Sequence, residues 1–127
     1  MADYVLDASA VLAVLNDEDG AALVEDVIGR SLMSSVNLTE VASKLVEKGM
    51  DDDSVSLVIH SLPCRVVDFT LAHSLRAGQL RRDTGPQGLS LGDRACLALT
   101  EAEGLPVLTS DRRWSDVETD LDIRLIR

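Results

Sequence analysis

The chain has 127 residues, which is enough for one domain with a single hydrophobic core, and we predict one domain over residues 1–127. Its 22 acidic and 12 basic residues give a formal net charge of -10, which disfavours a sequence-reading DNA-binding protein that depends on a basic surface. Aromatic residues make up only 2% of the chain, so a large platform for base stacking is not expected.

The N-terminal segment carries acids instead of a basic leader, and no apolar run reaches the ~18 residues of a membrane span. We therefore expect a cytoplasmic protein without a membrane segment. Cys64 and Cys96 lie far apart in the sequence, and neither has the nearby Cys or His of a metal-thiolate site. We predict that both are free thiols, buried or half-buried.

The first half of the chain alternates between short apolar runs and segments with helical spacing. Residues 4–6 predict a strand that ends at Asp7, and residues 9–15 and 20–28 predict two helices. A second strand is predicted at 32–34. A third helix begins at 36 and ends near Gly49, because glycine commonly follows the last turn of a helix.

The second half continues this alternation. Three aspartates at 51–53 precede the apolar-periodic residues 55–62, and negative charge at that position favours the start of a helix. The pattern then predicts, in order, a strand at 65–67, a helix at 71–80, a turn-rich loop at 83–88, a helix at 91–103, and strands at 106–109 and 123–126. Alternation of this kind predicts an α/β protein whose parallel sheet of four or five strands is covered by helices on both faces.

Four acidic residues stand where predicted strands end or predicted helices begin. Asp7 and Asp111 end strands, and Glu40 and Asp93 lie in first helical turns. In an open parallel sheet, ligands bind in the crevice outside the carboxyl ends of the strands. We expect all four acids at that edge, where carboxylate oxygens suit Mg²⁺ or Mn²⁺. Such a cluster points to metal-dependent phosphodiester hydrolysis.

Helix capping offers a second explanation for the same acids. Residues 37–40 and 90–93 match or approximate capping boxes, in which the last residue bonds a free backbone amide. Asp7 and Asp111 could each cap the turn that follows. A cap bonds its own helix, whereas metal ligands from distant segments must converge on one ion. The sequence leaves both explanations open.

Four segments carry a resemblance to a known family: 5–10 (VLDASA), 37–41 (NLTEV), 89–98 (LSLGDRACLA) and 107–114 (VLTSDRRW). In this order and spacing they resemble a PIN-domain protein, and in particular a VapC-type toxin of prokaryotic toxin–antitoxin systems. The resemblance covers nearly the whole chain. It implies a PIN-like three-layer α/β/α sandwich with a central, mostly parallel sheet of four or five strands.

The resemblance also implies an activity. The acids Asp7, Glu40, Asp93 and Asp111 would bind Mg²⁺ or Mn²⁺, and the protein would be a ribonuclease in which metal-activated water leaves a 5′-phosphate. A cognate VapB-like antitoxin would place a basic side chain among the acids. The protein would form a homodimer or a toxin–antitoxin hetero-oligomer.

Three further polar residues lie close to the acids in the sequence. Ser9 and Thr109 match polar positions of the family, where a hydroxyl can orient a carboxylate, although a cap or a strand-end hydrogen bond explains them equally well. Asp116 is either an outer acid of the site or a solvated surface residue.

Arginines near the predicted crevice are the candidates for contacts with RNA phosphates, and solvation at the surface is the alternative for each of them. The candidates are Arg81, Arg82, Arg94 and Arg112, together with Arg76 and Arg113. His60 and His73 lie on apolar-periodic helices and are not expected to be general bases.

Two non-catalytic alternatives were weighed against a nuclease. A receiver-like module places paired acids after its first strand and a lysine near its last, whereas Asp7 stands alone and the only lysines are Lys44 and Lys48. A non-catalytic PIN-fold module acting in protein interaction usually lacks some of the acids, and this chain has all four.

Overall fold

A parallel sheet of five short strands forms the centre of the computed structural model, which describes residues 1–127. The strands lie in the spatial order β3-β2-β1-β4-β5, and every neighbouring pair is parallel. β1 is therefore central, with β2 on one side and β4 on the other. The strands are β1 (Tyr4–Leu6), β2 (Ser31–Ser34), β3 (Arg65–Val67), β4 (Val107–Thr109) and β5 (Ile123–Leu125).

Six α-helices connect the strands. They are α1 (Ala8–Leu15), α2 (Ala21–Val27), α3 (Ser35–Glu47), α4 (Asp52–Ser61), α5 (Leu71–Thr84) and α6 (Leu91–Glu103). Single turns of 3₁₀-helix occur at Ile28–Arg30 and Gly85–Gln87, and a slightly longer one occurs at Arg112–Asp116. No helix is long and apolar enough to cross a membrane.

The sheet separates two apolar cores, because successive side chains of a strand point to opposite faces. Val5, Leu32 and Val107 contribute to a core that α5 and α6 cover. Their neighbours Leu6, Met33 and Leu108 contribute to the other core, which α1, α2 and α3 cover. The predicted three-layer α/β/α sandwich is confirmed, with five strands that are all parallel.

Two predicted helix boundaries were wrong. The third helix begins at Ser35, and the side chain of Ser34 caps it by accepting from the Val36 amide at 3.2 Å. Glu40 consequently lies in the second turn and does not belong to a capping box. The fifth helix extends beyond Leu80 to Thr84, because the Thr84 side chain is buried and its hydroxyl donates to the Leu80 carbonyl at 2.8 Å.

Candidate functional site

The carboxylate of Asp7 lies at the carboxyl end of the central strand β1 and is only 4% exposed. Asp7 occupies the N-cap position of α1, yet its side chain makes no capping hydrogen bond. Its Oδ2 instead accepts hydrogen bonds from the hydroxyls of Ser9 at 2.7 Å and Thr109 at 2.9 Å. The capping explanation is therefore wrong for Asp7.

The two hydroxyls also tie Asp7 to the loop after β4. The Ser9 Oγ accepts from the Ser110 amide at 2.9 Å, and the Thr109 Oγ1 accepts from the Asp111 amide at 3.0 Å. Ser9 and Thr109 are 3.2 Å apart at their hydroxyl oxygens. These contacts join the start of α1 to the chain segment that carries Asp111.

Glu40 reaches the same edge from the second turn of α3. The wholly buried Asn37 donates its Nδ2 to Glu40 Oε1 at 2.8 Å and to the Gly92 carbonyl at 3.0 Å. These two hydrogen bonds from one amide group join α3 to the start of α6. A Cβ atom on Gly92 would lie 2.6 Å from Glu40 Oε1, so the carboxylate occupies space that only glycine leaves free.

Asp93 is both a cap and a member of the acidic cluster. Its Oδ2 accepts from the Ser90 amide at 2.8 Å, and the Ser90 hydroxyl accepts from the Asp93 amide at 3.2 Å, which completes a capping box at the start of α6. The capping prediction is confirmed for Asp93. Its carboxylate is nevertheless close enough to Asp7 and Glu40 for its charge to raise the pKa of both.

Asp111 caps the 3₁₀ turn Arg112–Asp116 by accepting from the Arg113 amide at 3.0 Å, so its predicted capping role is confirmed as well. Both of its carboxylate oxygens also accept from the Arg113 guanidinium, which holds the pKa of Asp111 below its ordinary value. The same guanidinium reaches Asp93 Oδ2 at 3.5 Å. Arg113 thus bridges two of the four predicted acids.

Burial is the largest influence on the pKa of Asp7 and on that of Glu40. Burial raises the pKa of Asp7 to about 6; the Ser9 and Thr109 hydroxyls oppose this shift, and the charges of Asp93 and Glu40 add to it. Burial likewise raises the pKa of Glu40, against the hydrogen bond from Asn37. The three carboxylates therefore share one partly desolvated site.

Each of these three carboxylates keeps one oxygen that accepts no hydrogen bond from the protein. Every side-chain hydrogen bond to Asp7 and Asp93 ends on Oδ2, and the bond to Glu40 ends on Oε1. In this conformation no group of three or more His, Cys, Asp or Glu side chains is arranged closely enough to hold a metal ion. The donor set is nonetheless all oxygen and anionic, which suits a hard dication.

Both cysteines are free and buried, which confirms that prediction. Cys96 lies on α6 near the cluster, and burial together with the charges of Asp7, Asp93 and Glu40 raises its pKa well above the ordinary value. A thiol in this state is a poor nucleophile and a poor metal ligand at neutral pH.

Arg94 was predicted to contact RNA, and this prediction was wrong. Its side chain is buried between α6 and α5, where the guanidinium Nη1 donates to the Ala77 carbonyl at 3.0 Å. The α6 face that carries Arg94 packs against α5, so this arginine is a structural contact. Sequence reasoning placed it in the crevice because it directly follows Asp93.

The other predicted arginines and Asp116 lie at the surface. Arg81, Arg82 and Arg112 are exposed, and their guanidinium groups make no hydrogen bond or ion pair within the protein. Asp116 is exposed at the end of its 3₁₀ turn, and only its backbone carbonyl is bonded, by the Gln87 side chain at 3.2 Å. The structure brings none of these side chains into contact with the four acids.

Two residues that sequence reasoning missed complete the site. Asn37 was interpreted as a helix cap, and Gly92 was not singled out. Both residues stand close to a candidate acid in the sequence: Asn37 lies three positions before Glu40, and Gly92 directly precedes Asp93. Only the packing of α3 on α6 reveals that these two features belong together.

The PIN domain family matches residues 4–119, and these contain all four acids. The chain belongs to the PIN-domain family. Ribonuclease VapC42 from Mycobacterium tuberculosis is 29% identical to this PIN domain over 123 residues, which cover 82% of this chain and 87% of the relative. The sequence resemblance to VapC-type proteins is therefore confirmed.

Solved structures show the same fold. A DNA-bound VapBC complex from Salmonella typhimurium contains a chain that matches this PIN domain with a TM-score of 0.78 and 17% identity, covering 100% of both chains. VapC20 from M. tuberculosis, described as a toxin that cleaves the Sarcin–Ricin loop, matches with a TM-score of 0.74 and 17% identity. That match covers 89% of this chain and 93% of VapC20.

We predict that Asp7→Asn stabilises the metal-free protein at pH 7. The raised pKa means that the protonated carboxyl stabilises the fold fully below the unfolded value of 3.8, and that this contribution is lost as pH rises through about 6. Asparagine removes the buried charge, so we expect a gain of up to about 3 kcal/mol at pH 7 that disappears near pH 4. Urea unfolding of both proteins at pH 7 and at pH 4 measures this difference in the free energy of unfolding.

Asp68→Asn is the matched control, because Asp68 is exposed and its side chain makes no hydrogen bond. We expect its stability to follow that of the wild type at both pH values. If Asp7→Asn were less stable than the wild type at pH 7, the ionised carboxylate would be a structural requirement instead of a source of strain.

Proposed function

We propose that this PIN domain, as a single domain over residues 1–127, is a metal-dependent endoribonuclease and the toxin of a VapBC-type pair. One observation carries the proposal. Asp7, Glu40 and Asp93 come from three distant segments, lie together at the carboxyl edge of the sheet, and each keep an oxygen without a protein donor. Caps alone do not require such convergence, because each cap serves only its own helix.

In this proposal Asp7, Glu40 and Asp93 hold Mg²⁺ or Mn²⁺, and Asp111 completes the set. A bound dication would act as a Lewis acid that activates water and offsets charge on the scissile phosphate. Ser9 and Thr109 hold Asp7 in one orientation through Oδ2, which leaves Oδ1 available. Asn37 does the same for Glu40 through Oε1.

Attack by water implies products with a 5′-phosphate and a 3′-hydroxyl. Attack by a ribose 2′-hydroxyl would need a general base near the phosphate, and the two histidines lie elsewhere. The His60 ring bonds to the Ser56 carbonyl within the exposed helix α4, and His73 belongs to the capping box of α5. The names of the VapC relatives, which are ribonucleases, support RNA as the substrate.

The two non-catalytic alternatives receive less support. Receiver domains have the strand order 2-1-3-4-5, whereas this sheet has the order β3-β2-β1-β4-β5. The receiver-like interpretation is therefore wrong. A non-catalytic PIN module would not need three unshared carboxylate oxygens at one edge, and the burial of ionised Asp7 and Glu40 opposes folding of the metal-free protein.

We expect purified wild-type protein to cleave RNA only when Mg²⁺ or Mn²⁺ is present and to leave 5′-phosphate ends. Asp7→Asn and Asp93→Asn should lower the rate by at least about 100-fold, because each removes a charged ligand. Asparagine can still accept at position 93, so α6 should remain capped. Sequencing of RNA 5′-phosphate ends measures the products, and circular dichroism checks the fold.

Asp68→Asn again serves as the control and should cleave as the wild type does. Metal-independent cleavage, or products with a 5′-hydroxyl, would contradict the proposed mechanism. Unfolding of both site variants would show that the acids serve the fold and not the reaction.

A small basic pocket beside the acids offers a place for the RNA backbone. It has a volume of about 250 Å³, and Ser9 and Ser110 form the wall that it shares with the acidic site. Its cationic residues are Lys44 of α3, Lys48 at the C-cap of α3, and Arg127, which is paired with Glu18 in the same pocket. These cations meet on one side of the acids in a chain of net charge -10, and we propose that they hold a phosphate next to the scissile bond.

We predict that Lys44→Gln combined with Lys48→Gln weakens RNA binding and lowers the slope of log affinity against log salt by up to about 2, since up to two phosphate contacts are lost. Binding to Asp93→Asn protein, which should not cleave, is measured at several salt concentrations. Arg65→Gln is the matched control. Arg65 is exposed at the amino end of the edge strand β3, whereas the acids lie at the carboxyl edge of the sheet.

An unchanged slope in the double variant would exclude both lysines as phosphate contacts. Arg81, Arg82 and Arg112 stay candidates for phosphate contacts and can be tested by the same measurement. The supporting roles of Ser9 and Thr109 and the outer role of Asp116 are likewise part of the proposal, as is a cytoplasmic location.

Solved structures with the same fold include VapBC complexes, and we propose that this PIN domain also has a cognate VapB-like antitoxin. A basic antitoxin side chain could pair with the acids as Arg113 pairs with Asp111, since a guanidinium binds a carboxylate through two parallel hydrogen bonds. The complex would be a hetero-oligomer, and the free protein a homodimer.

We expect expression of this protein to stop growth of a bacterial host, and co-expression of the neighbouring reading frame's product to restore it. The two proteins should co-purify, and light scattering gives their stoichiometry. Asp7→Asn protein should be harmless on its own. If the two proteins neither associate nor restore growth together, the antitoxin part of the proposal fails while the nuclease part stands.

A further inference from the structure

Arg113 provides the only positive side chain that contacts the acidic cluster. Its Nε and Nη2 atoms donate to both oxygens of Asp111, its Nη2 reaches Asp93 Oδ2 at 3.5 Å, and its Nη1 donates to the Gly88 carbonyl at 3.2 Å. The charges of Asp111, Asp93 and Asp7 all act on this guanidinium. It therefore partly neutralises the site in the absence of a metal ion.

The backbone of Arg113 is anchored in its turn, whereas its guanidinium lies at the surface and is held by hydrogen bonds. The residue belongs to the 3₁₀ turn Arg112–Asp116, which the wholly buried Trp114 anchors in the core. The side chain of Arg113 is 53% exposed, so no packing holds the guanidinium in place apart from its polar contacts. A competing cation could displace it without any rearrangement of the turn.

We propose that Arg113 occupies the cation position between Asp93 and Asp111 until a divalent metal displaces it, so that this arginine sets the metal affinity of the site. The inference rests on the proposed metal-dependent function. In this conformation both oxygens of Asp111 are bound to the Arg113 guanidinium, so Asp111 has no oxygen available to a metal ion.

Competition between Arg113 and the metal ion for Asp111 predicts that removal of Arg113 raises the metal affinity. A dication that takes Asp111 as a ligand must replace the hydrogen bonds from Arg113, so their strength is subtracted from the binding free energy of the metal. If Arg113 instead only oriented Asp111 for the metal, its removal would weaken metal binding. The two roles therefore predict opposite changes in affinity.

The test is a calorimetric titration of the metal-free protein with Mn²⁺. We expect Arg113→Gln to bind Mn²⁺ about three- to fivefold more tightly than the wild type, which is within the range expected for loss of a partly exposed ion pair. The metal-free variant should also melt at a lower temperature, because the acids lose their counter-charge, and should gain more stability on addition of Mn²⁺.

Arg112→Gln is the matched control, because it removes the same charge one residue away and Arg112 contacts none of the acids. Its Mn²⁺ affinity should stay within about twofold of the wild type, since a screened surface charge acts weakly. Arg113→Lys keeps the charge and lacks the planar fork, so its affinity should fall between those of the wild type and Arg113→Gln.

An Mn²⁺ affinity that is equal or lower in Arg113→Gln overturns this inference and leaves the nuclease proposal intact if the wild type still binds Mn²⁺. If Arg113→Gln does not fold, the same comparison is decided by Arg113→Lys. If neither the wild type nor any variant binds Mn²⁺, the inference and the metal-dependent function are both wrong.

Discussion

Desolvation of the Asp7 carboxylate at the end of the central strand is the constraint on which the site depends. β1 has neighbours on both sides, so Asp7, which directly follows it, lies among α1, the end of β4 and the start of α6. A carboxylate in this position loses most of its water, and the Ser9 and Thr109 hydroxyls replace only part of it. The charges of Glu40 and Asp93 add to the free-energy cost of keeping Asp7 ionised.

Because of this free-energy cost, the binding of a cation by the acids is favourable. Like charges held together in a partly buried site oppose folding, and any positive group that enters relieves both desolvation and repulsion. In the structure, Arg113 partly fills that role for Asp93 and Asp111. A dication, a basic side chain of a partner protein and this arginine all suit the same position, and the proposed activity and its inhibition would follow from their competition.

An acid that caps a helix can still face the acidic cluster. Asp93 caps α6 with one oxygen and Asp111 caps its 3₁₀ turn, and both nevertheless face the cluster. A cap lies at the N-terminus of a helix, and helices that follow parallel strands begin at the edge where ligands bind. The hydrogen bonds that start these helices therefore also orient the carboxylates, so the fold and the site use the same contacts.

Local periodicity and chain direction were enough to predict the parallel α/β class, the order of the elements and the edge of the sheet at which the four acids lie. They could not predict that Arg94 is buried against α5, that Arg113 bridges Asp93 and Asp111, or that Asn37 joins Glu40 to Gly92. Arg94 and Arg113 look alike in the sequence, because each closely follows one of the four acids. Their contacts depend on how separate helices and turns pack, and packing is decided by residues far away along the chain.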